Sequence, residues 1–132
     1  MVQIGMSVLA SVVCVMNNDL GKLGEEQAVQ YLMRKGYQII GRNWRCSHGE
    51  IDIIAQDQRG MVFVEVKTRR LALEQGWEAI TPKKRQRMID SAYAYMNAHN
   101  IDDKIMWRID VIVVQITRGQ ITIEHGEDAL GW

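Results

Sequence analysis

The spacing of apolar residues changes along the chain, and each change marks an element. Leu23, Ala28, Val29 and Leu32 recur at helical spacing, forming one stripe of a helix that Asp19 can cap, that runs to about Lys35 and that Gly36 can stop. Beyond Gly36 the period falls to two. Tyr37 to Arg45, Glu50 to Ala55 and Met61 to Thr68 read as strands separated by the turn sequences Ser47-His48-Gly49 and Asp57-Gln58-Arg59-Gly60, and such short turns predict an antiparallel meander. Arg69 to Glu78 has no clear period and reads as a surface loop. A second helix opens at Thr81-Pro82, where Thr81 supplies a capping oxygen and Pro82 loses nothing by lacking an N–H. It runs to about Ala98 with Met88, Ile89, Ala92, Tyr93 and Met96 on its apolar face. Met106 to Ile116 is rich in β-formers, and Arg118-Gly119 turns it into a last strand, Gln120 to Glu124. The predicted class is α/β, in the order α-β-β-β-α-β-β.

At 132 residues the chain has the size of one domain. Residues 20–132 read as that domain, since no repeat, low-complexity tract or linker divides them. Residues 1–19 differ. The first eighteen are uncharged and Ile4 to Met16 is mostly apolar, yet this is short of the roughly twenty residues of a membrane span and lacks the positive start of a signal peptide. A misassigned start codon, with translation beginning at Met16, is the simpler account; the rival is a partner-binding or core-capping extension. Cys14 and Cys46 fit no metal-ligand or disulfide framework and read as reduced thiols of a cytoplasmic protein. Lys plus Arg and Asp plus Glu number 16 each, which argues against a generic polyanion binder and requires any nucleic-acid contact to come from a local basic face.

The chemistry lies in the strands. In FVEVKT, Glu65 and Lys67 share one face while Val62, Val64 and Val66 take the other. In EIDII, Asp52 is expected opposite Ile51 and Ile53, with Glu50 on its own face, and a hairpin register could bring Asp52 beside Glu65. Adjacent carboxylates repel unless a cation compensates, and Mg²⁺ or Mn²⁺ with oxygen ligands does so well. A divalent ion polarises a phosphoryl oxygen while a nearby Lys orients water or steadies charge, which are the needs of phosphodiester hydrolysis. Glu25 projects from the stripe of the first helix and is a better further acid than Glu26, though the spacing leaves one turn of ambiguity between them.

The set Gly24-Glu25, Gly49-Glu50-Ile51-Asp52 and Glu65-Val66-Lys67 resembles the PD-(D/E)XK nuclease superfamily, and more narrowly the YraN-like family of uncharacterised bacterial proteins. The likeness extends over nearly all of the chain after Leu20, including Asn43-Trp44-Arg45, Lys83-Lys84 and Arg108-Ile109-Asp110-Val111; Ile51 departs from the proline of the motif's name. The family is similar in fold to archaeal Holliday junction resolvases. The resemblance implies a restriction-endonuclease-like mixed sheet flanked by helices, metal held by Asp52 and Glu65, Lys67 as catalytic lysine and Glu25 as the acid of the first helix. It also implies DNA, branched DNA of repair or recombination included, as the substrate. A resolvase-like homodimer would place two sites across a two-fold axis.

Lys83, Lys84, Arg85 and Arg87 crowd a helix start that prefers acids, an arrangement that a nearby phosphate would relieve. With Arg69, Arg70 and Arg45 they make a candidate basic strip for nucleic acid, against which stands the reading of a solvated helix face. Trp44, Trp77 and Trp107 read as core or interface rather than base-stacking groups. His48, His99 and His125 show no ligand spacing, and Arg108 with Asp110 reads as a structural pair. Three functions remain open: a Mg²⁺-dependent endonuclease, a nucleic-acid-binding module of the same fold that does not cleave, and an interaction protein with structural carboxylates.

Overall fold

The period-two stretches pair into a single sheet, seen here in a computed structural model that describes residues 2–4, 17–70, 81–117 and 120–129. The elements are β1 (Val2–Ile4), α1 (Asn17–Arg34), β2 (Gln38–Cys46), β3 (Gly49–Asp57), β4 (Gly60–Arg69), α2 (Pro82–Ala98), β5 (Trp107–Thr117) and β6 (Gln120–Gly126). From α1 onward this is the expected order. The short β1 adds an antiparallel edge strand on β6. The helix start differs slightly from expectation, since Asp19 lies in the first turn of α1 rather than before it. The part of the expected loop beyond Arg70, the Arg118-Gly119 turn, Cys14 and Trp77 lie outside the described residues.

Strand order across the sheet is β1-β6-β5-β4-β3-β2. The meander β2-β3-β4 is antiparallel as expected, whereas β4 and β5 pair in parallel, which makes the sheet mixed. Two parallel neighbours need a crossover, and α2 lies in it. Each helix covers one face. Under α1, Ala28, Val29 and Leu32 pack on Ile53, Val62, Val64 and Ile112. Under α2, Ala92, Tyr95 and Met96 pack on Ile54, Phe63 and Ile109.

The helix faces follow from the 3.6-residue period with one correction. Tyr93, expected in the core, is exposed, and Tyr95 is buried in its place. One residue on from Ala92 is about 100° around the helix, so Tyr93 falls at the stripe's edge and covers Trp107 instead, ring to ring at 5.3 Å. Trp44 and Trp107 pack against the α2-side core as expected. Among the described residues no helix is long and apolar enough to cross a membrane.

Two glycines permit close approaches. Gly24 brings α1 so near β4 that an added Cβ would collide with the Thr68 side chain. Gly60, at φ 140°, presses the β3–β4 turn against the Met106 carbonyl, which accepts from Met61 N at 3.0 Å.

Candidate functional site

Asp52 sits where β3 loses its partners on both sides. Toward β4 the pairing ends at Ile53 opposite Val64, and in the position that would follow, the Asp52 carboxylate accepts from Val66 N at 2.8 Å. Toward β2 the pairing passes from Arg42 opposite Ile53 to Trp44 opposite Ile51, and Asn43 between them has φ 51°. The expected alternation fails at this point of β3. Ile53 and Ala55 join the core under α1, but Ile51 packs with Ile54 on the α2 side rather than sharing a face with Ile53. A strand that changes faces at one residue has been bent there.

Continuing the β3–β4 register sets Asp52 across from Glu65, and both line an open cleft of about 470 Å³ with Glu50, His48, Thr81, Lys83, Lys84, Arg87 and Ser91. Burial pushes the Asp52 carboxyl up to about 7, against the hydrogen bond from Val66, and the charges of Glu65, Glu25 and Glu50 add to the rise. Glu25 is also raised, first by its own burial and then by Glu50, while Asn43 and Arg42 oppose the shift. The sequence preferred Glu25 and kept Glu26, its neighbour about 100° around the helix, as a rival. Glu26 turns away to Arg42 at 3.0 Å and Gln30 at 3.0 Å, and Glu25 points to the Asn43 amide at 2.8 Å, which also reaches Glu50 at 3.1 Å.

The remaining predicted residues divide. Lys67 is buried on β4 two residues beyond Glu65 and is not among those lining the cleft. Of the basic residues, Lys83, Lys84 and Arg87 line the cleft; Arg85 is exposed on α2 outside its lining. Thr81 caps α2 as expected, its hydroxyl accepting from Lys84 N at 3.1 Å. Arg45 meets Glu50 at 3.7 Å on the rim and is largely exposed. Arg69 ends β4 and donates to the Thr68 carbonyl at 3.2 Å, Arg70 follows the strand, and neither lines the cleft. Glu65 is held by Lys84 Nζ at 3.0 Å.

Among the described residues, no three His, Cys, Asp or Glu side chains gather closely enough to hold a metal. What the cleft offers a cation is the facing pair Asp52 and Glu65, with Glu50 and Glu25 nearby. Two carboxylates suit Mg²⁺, which keeps several waters and takes its remaining oxygens from phosphate. Burial is the first cause of the raised Asp52 carboxyl and the nearby acids add to it; a divalent cation would offset both, so the donor pair fits such an ion.

Residues 24–114 match the family described as Uncharacterised protein family UPF0102. The chain belongs to this family. Curated UPF0102 relatives include a protein of Chloroflexus aurantiacus, 47% identical over 113 residues that cover 85% of this chain and 92% of the relative. Another, from Roseiflexus castenholzii, is 44% identical over 80% of this chain and 88% of its own length, and a third, from Flavobacterium psychrophilum, is 40% identical over 86% and 94%. The UPF0102 match spans Glu25, Asn43, Asp52, Glu65, Lys67 and the basic start of α2 together. Among solved structures the chain is similar to Pyrococcus furiosus SfsA in complex with Ca²⁺, at TM-score 0.39 and 16% identity over 86% of this chain and 64% of that one. It is also similar to a repair endonuclease from Pyrococcus abyssi, at TM-score 0.37 and 16% identity over 80% and 40%.

On the other face of the sheet lies a polar cluster of which the sequence signalled only one pair. Arg108 and Asp110 pair as expected, Nε to Oδ1 at 2.9 Å. Asp110 is fully buried and also accepts from His125 at 2.7 Å and from Asp128 N at 3.0 Å. Tyr31 meets the second ring nitrogen of His125 at 2.9 Å, and Arg108 reaches Tyr37 at 2.8 Å and Asp57 at 3.2 Å. His125, with no ligand spacing in the sequence, is therefore placed by partners up to 94 positions away.

Proposed function

We propose that this protein is a Mg²⁺- or Mn²⁺-dependent endonuclease-like protein of the cytoplasm acting on DNA, branched DNA of repair or recombination included. The observation that carries the reading is the facing of Asp52 and Glu65 inside a cleft whose other wall is the basic start of α2. Asp52 and Glu65 would hold the ion, with Glu25 assisting from α1. Bound there, the ion would supply Lewis-acid polarisation of a phosphodiester and a lower pKa for the attacking water. Lys67 would orient that water or steady the developing charge. Lys83, Lys84 and Arg87 would hold phosphates in the cleft, and Arg45, Arg69, Arg70 and Arg85 would extend the basic surface beyond it. The likeness to PD-(D/E)XK nucleases supports the roles given to Asp52, Glu65, Lys67 and Glu25, and a resolvase-like homodimer is the assembly it implies.

One observation favours a second reading. Glu65 is already neutralised by Lys84, as suits a module that keeps the fold, binds nucleic acid and does not cleave. Calorimetric titration of Mg²⁺ and Mn²⁺ into wild type, Asp52→Asn and Glu65→Gln, followed by incubation with branched and linear DNA, separates the readings. Metal uptake and cleavage that vanish together in both variants support the nuclease. DNA binding without turnover supports the binding module, and a wild type that takes up neither metal nor DNA leaves the carboxylates structural.

A further inference from the structure

Asn43 belongs to neither the acids nor the basic wall and is not among the residues lining the cleft, yet two independent features tie it to the site. Its backbone is left-handed within a strand, at φ 51°. Asn tolerates that region better than most residues, and a non-glycine residue held there in a strand is unusual enough to ask what it serves. It sits at the position opposite Asp52, between Arg42–Ile53 and Trp44–Ile51, and the pairing passes over both. Freed from a regular ladder, Asp52 reaches across to Val66 N at 2.8 Å.

The side chain of Asn43 is the second feature. Its amide faces Glu25 Oε1 at 2.8 Å and Glu50 Oε1 at 3.1 Å. Ionised carboxylates only accept, so the nitrogen with its two N–H groups must be the atom turned toward them. One amide thus ties an acid of α1 to an acid of β3 two positions before Asp52. These are also two of the acids whose charge raises the Asp52 carboxyl. Carboxylates held by such donors stay where a cation can use them, although their mutual repulsion favours spreading apart.

We infer that Asn43 is a positioning residue of the site: its backbone turns Asp52 into the cleft, and its amide sets Glu25 and Glu50 beside it. The inference rests on the metal-site reading above. Three variants divide its two parts. Asn43→Gly keeps the left-handed backbone and removes the amide, Asn43→Ala removes the amide and disfavours the backbone, and Asn43→Asp keeps the shape while replacing donors with charge.

The test is Mn²⁺ titration of these variants alone and in a Glu25→Gln background, together with the Val66 amide resonance of the metal-free proteins. Asn43→Gly is expected to bind Mn²⁺ about tenfold more weakly, the lower end for loss of a group that orients a ligand. The same change made on Glu25→Gln is expected to cost less, because the nearer of the two acids it acts through is already altered. Val66 should keep its resonance in Asn43→Gly and shift in Asn43→Ala as the bond to Asp52 is disturbed. Wild-type affinity in Asn43→Gly overturns the role of the amide, and an equal loss with and without Glu25 overturns its action through Glu25. An unmoved Val66 resonance in Asn43→Ala overturns the role of the backbone. Should wild type take up no Mn²⁺, the metal reading and the amide's part in it fall together, and the Val66 resonance still decides whether Asn43 sets Asp52.

Discussion

Asp52 is the residue at which the fold's stability and its proposed chemistry oppose each other. Its carboxyl is pushed from an ordinary 3.8 to about 7 in the folded chain, first by burial. Between those values the folded protein retains a proton that the unfolded chain has lost. Stability therefore falls as pH rises from about 4 to about 7 and stays low above that, where an unpaired charge sits among three other acids. Asp52→Asn removes the charge and keeps an oxygen for Val66 N. The variant is expected to be more stable than wild type at pH 8 by about 2 kcal/mol, roughly half of what a shift of this size would carry because the cleft is open to water. The gain should vanish near pH 4, as thermal melts across that range would show. A metal would reverse the balance by binding the anion, so Mn²⁺ affinity in wild type should climb with pH up to about 7 and then level off, while Asp52→Asn binds none. A variant that melts higher yet loses the ion would identify a site maintained at the cost of stability.

Elements carry the acid and basic walls of the cleft, and their spacing was readable to different depths. Period-two alternation placed Glu65 and Lys67 on one face, and the short turns gave the meander, because both are local properties of a strand and its neighbour. The choice between Glu25 and Glu26 was not local. It depends on how α1 is seated over the sheet, where Gly24 lies close against Thr68. Gly24→Ala should consequently lift α1 from β4 and destabilise the fold by about 1–3 kcal/mol, the usual cost of overpacking, visible as a lower urea midpoint. The face change at Asn43 was also illegible, since alternation assumes an unbroken ladder. On the opposite wall, capping by Thr81 holds Lys84 close to Glu65. There a cation and Lys84 would share one carboxylate. Lys84→Gln should strengthen Mn²⁺ binding roughly twofold to fivefold, what an exposed ion pair is worth. The same change should weaken DNA binding and reduce its salt dependence by about one phosphate contact. Opposite signs for the two ligands are the outcome that calorimetry and salt-titrated DNA binding would check; weakening of both would mean that Lys84 merely supports the cleft.

At the scale of the whole molecule, the sheet separates a cleft on the α2 face from the Asp110 cluster on the α1 face. That cluster joins α1, β3, β5, β6 and the segment after β6 through side chains far apart in sequence. Only its Arg108–Asp110 pair could be read from one strand. Burial by itself would raise the Asp110 carboxyl, but hydrogen bonds from His125, Asp128 N and Arg108 outweigh it and hold the group below its ordinary 3.8. A carboxyl lowered in this way adds stability that is fully present above its unfolded value and is lost as pH falls through the folded one. Asp110→Asn removes the charge while leaving Arg108 and His125 enclosed, and breaking a buried pair from one side costs about 3–5 kcal/mol. At pH 7 the variant should show a lower urea midpoint with an unchanged slope, and the gap to wild type should close in acid below about pH 4. Because the cluster and the cleft lie on opposite faces, whatever fraction of Asp110→Asn remains folded should bind Mn²⁺ and DNA as wild type does. Asp52→Asn is expected to show the reverse pattern, more stable and without metal. A protein in which both variants lost stability and binding together would have one continuous polar core instead of a scaffold on one face and a site on the other.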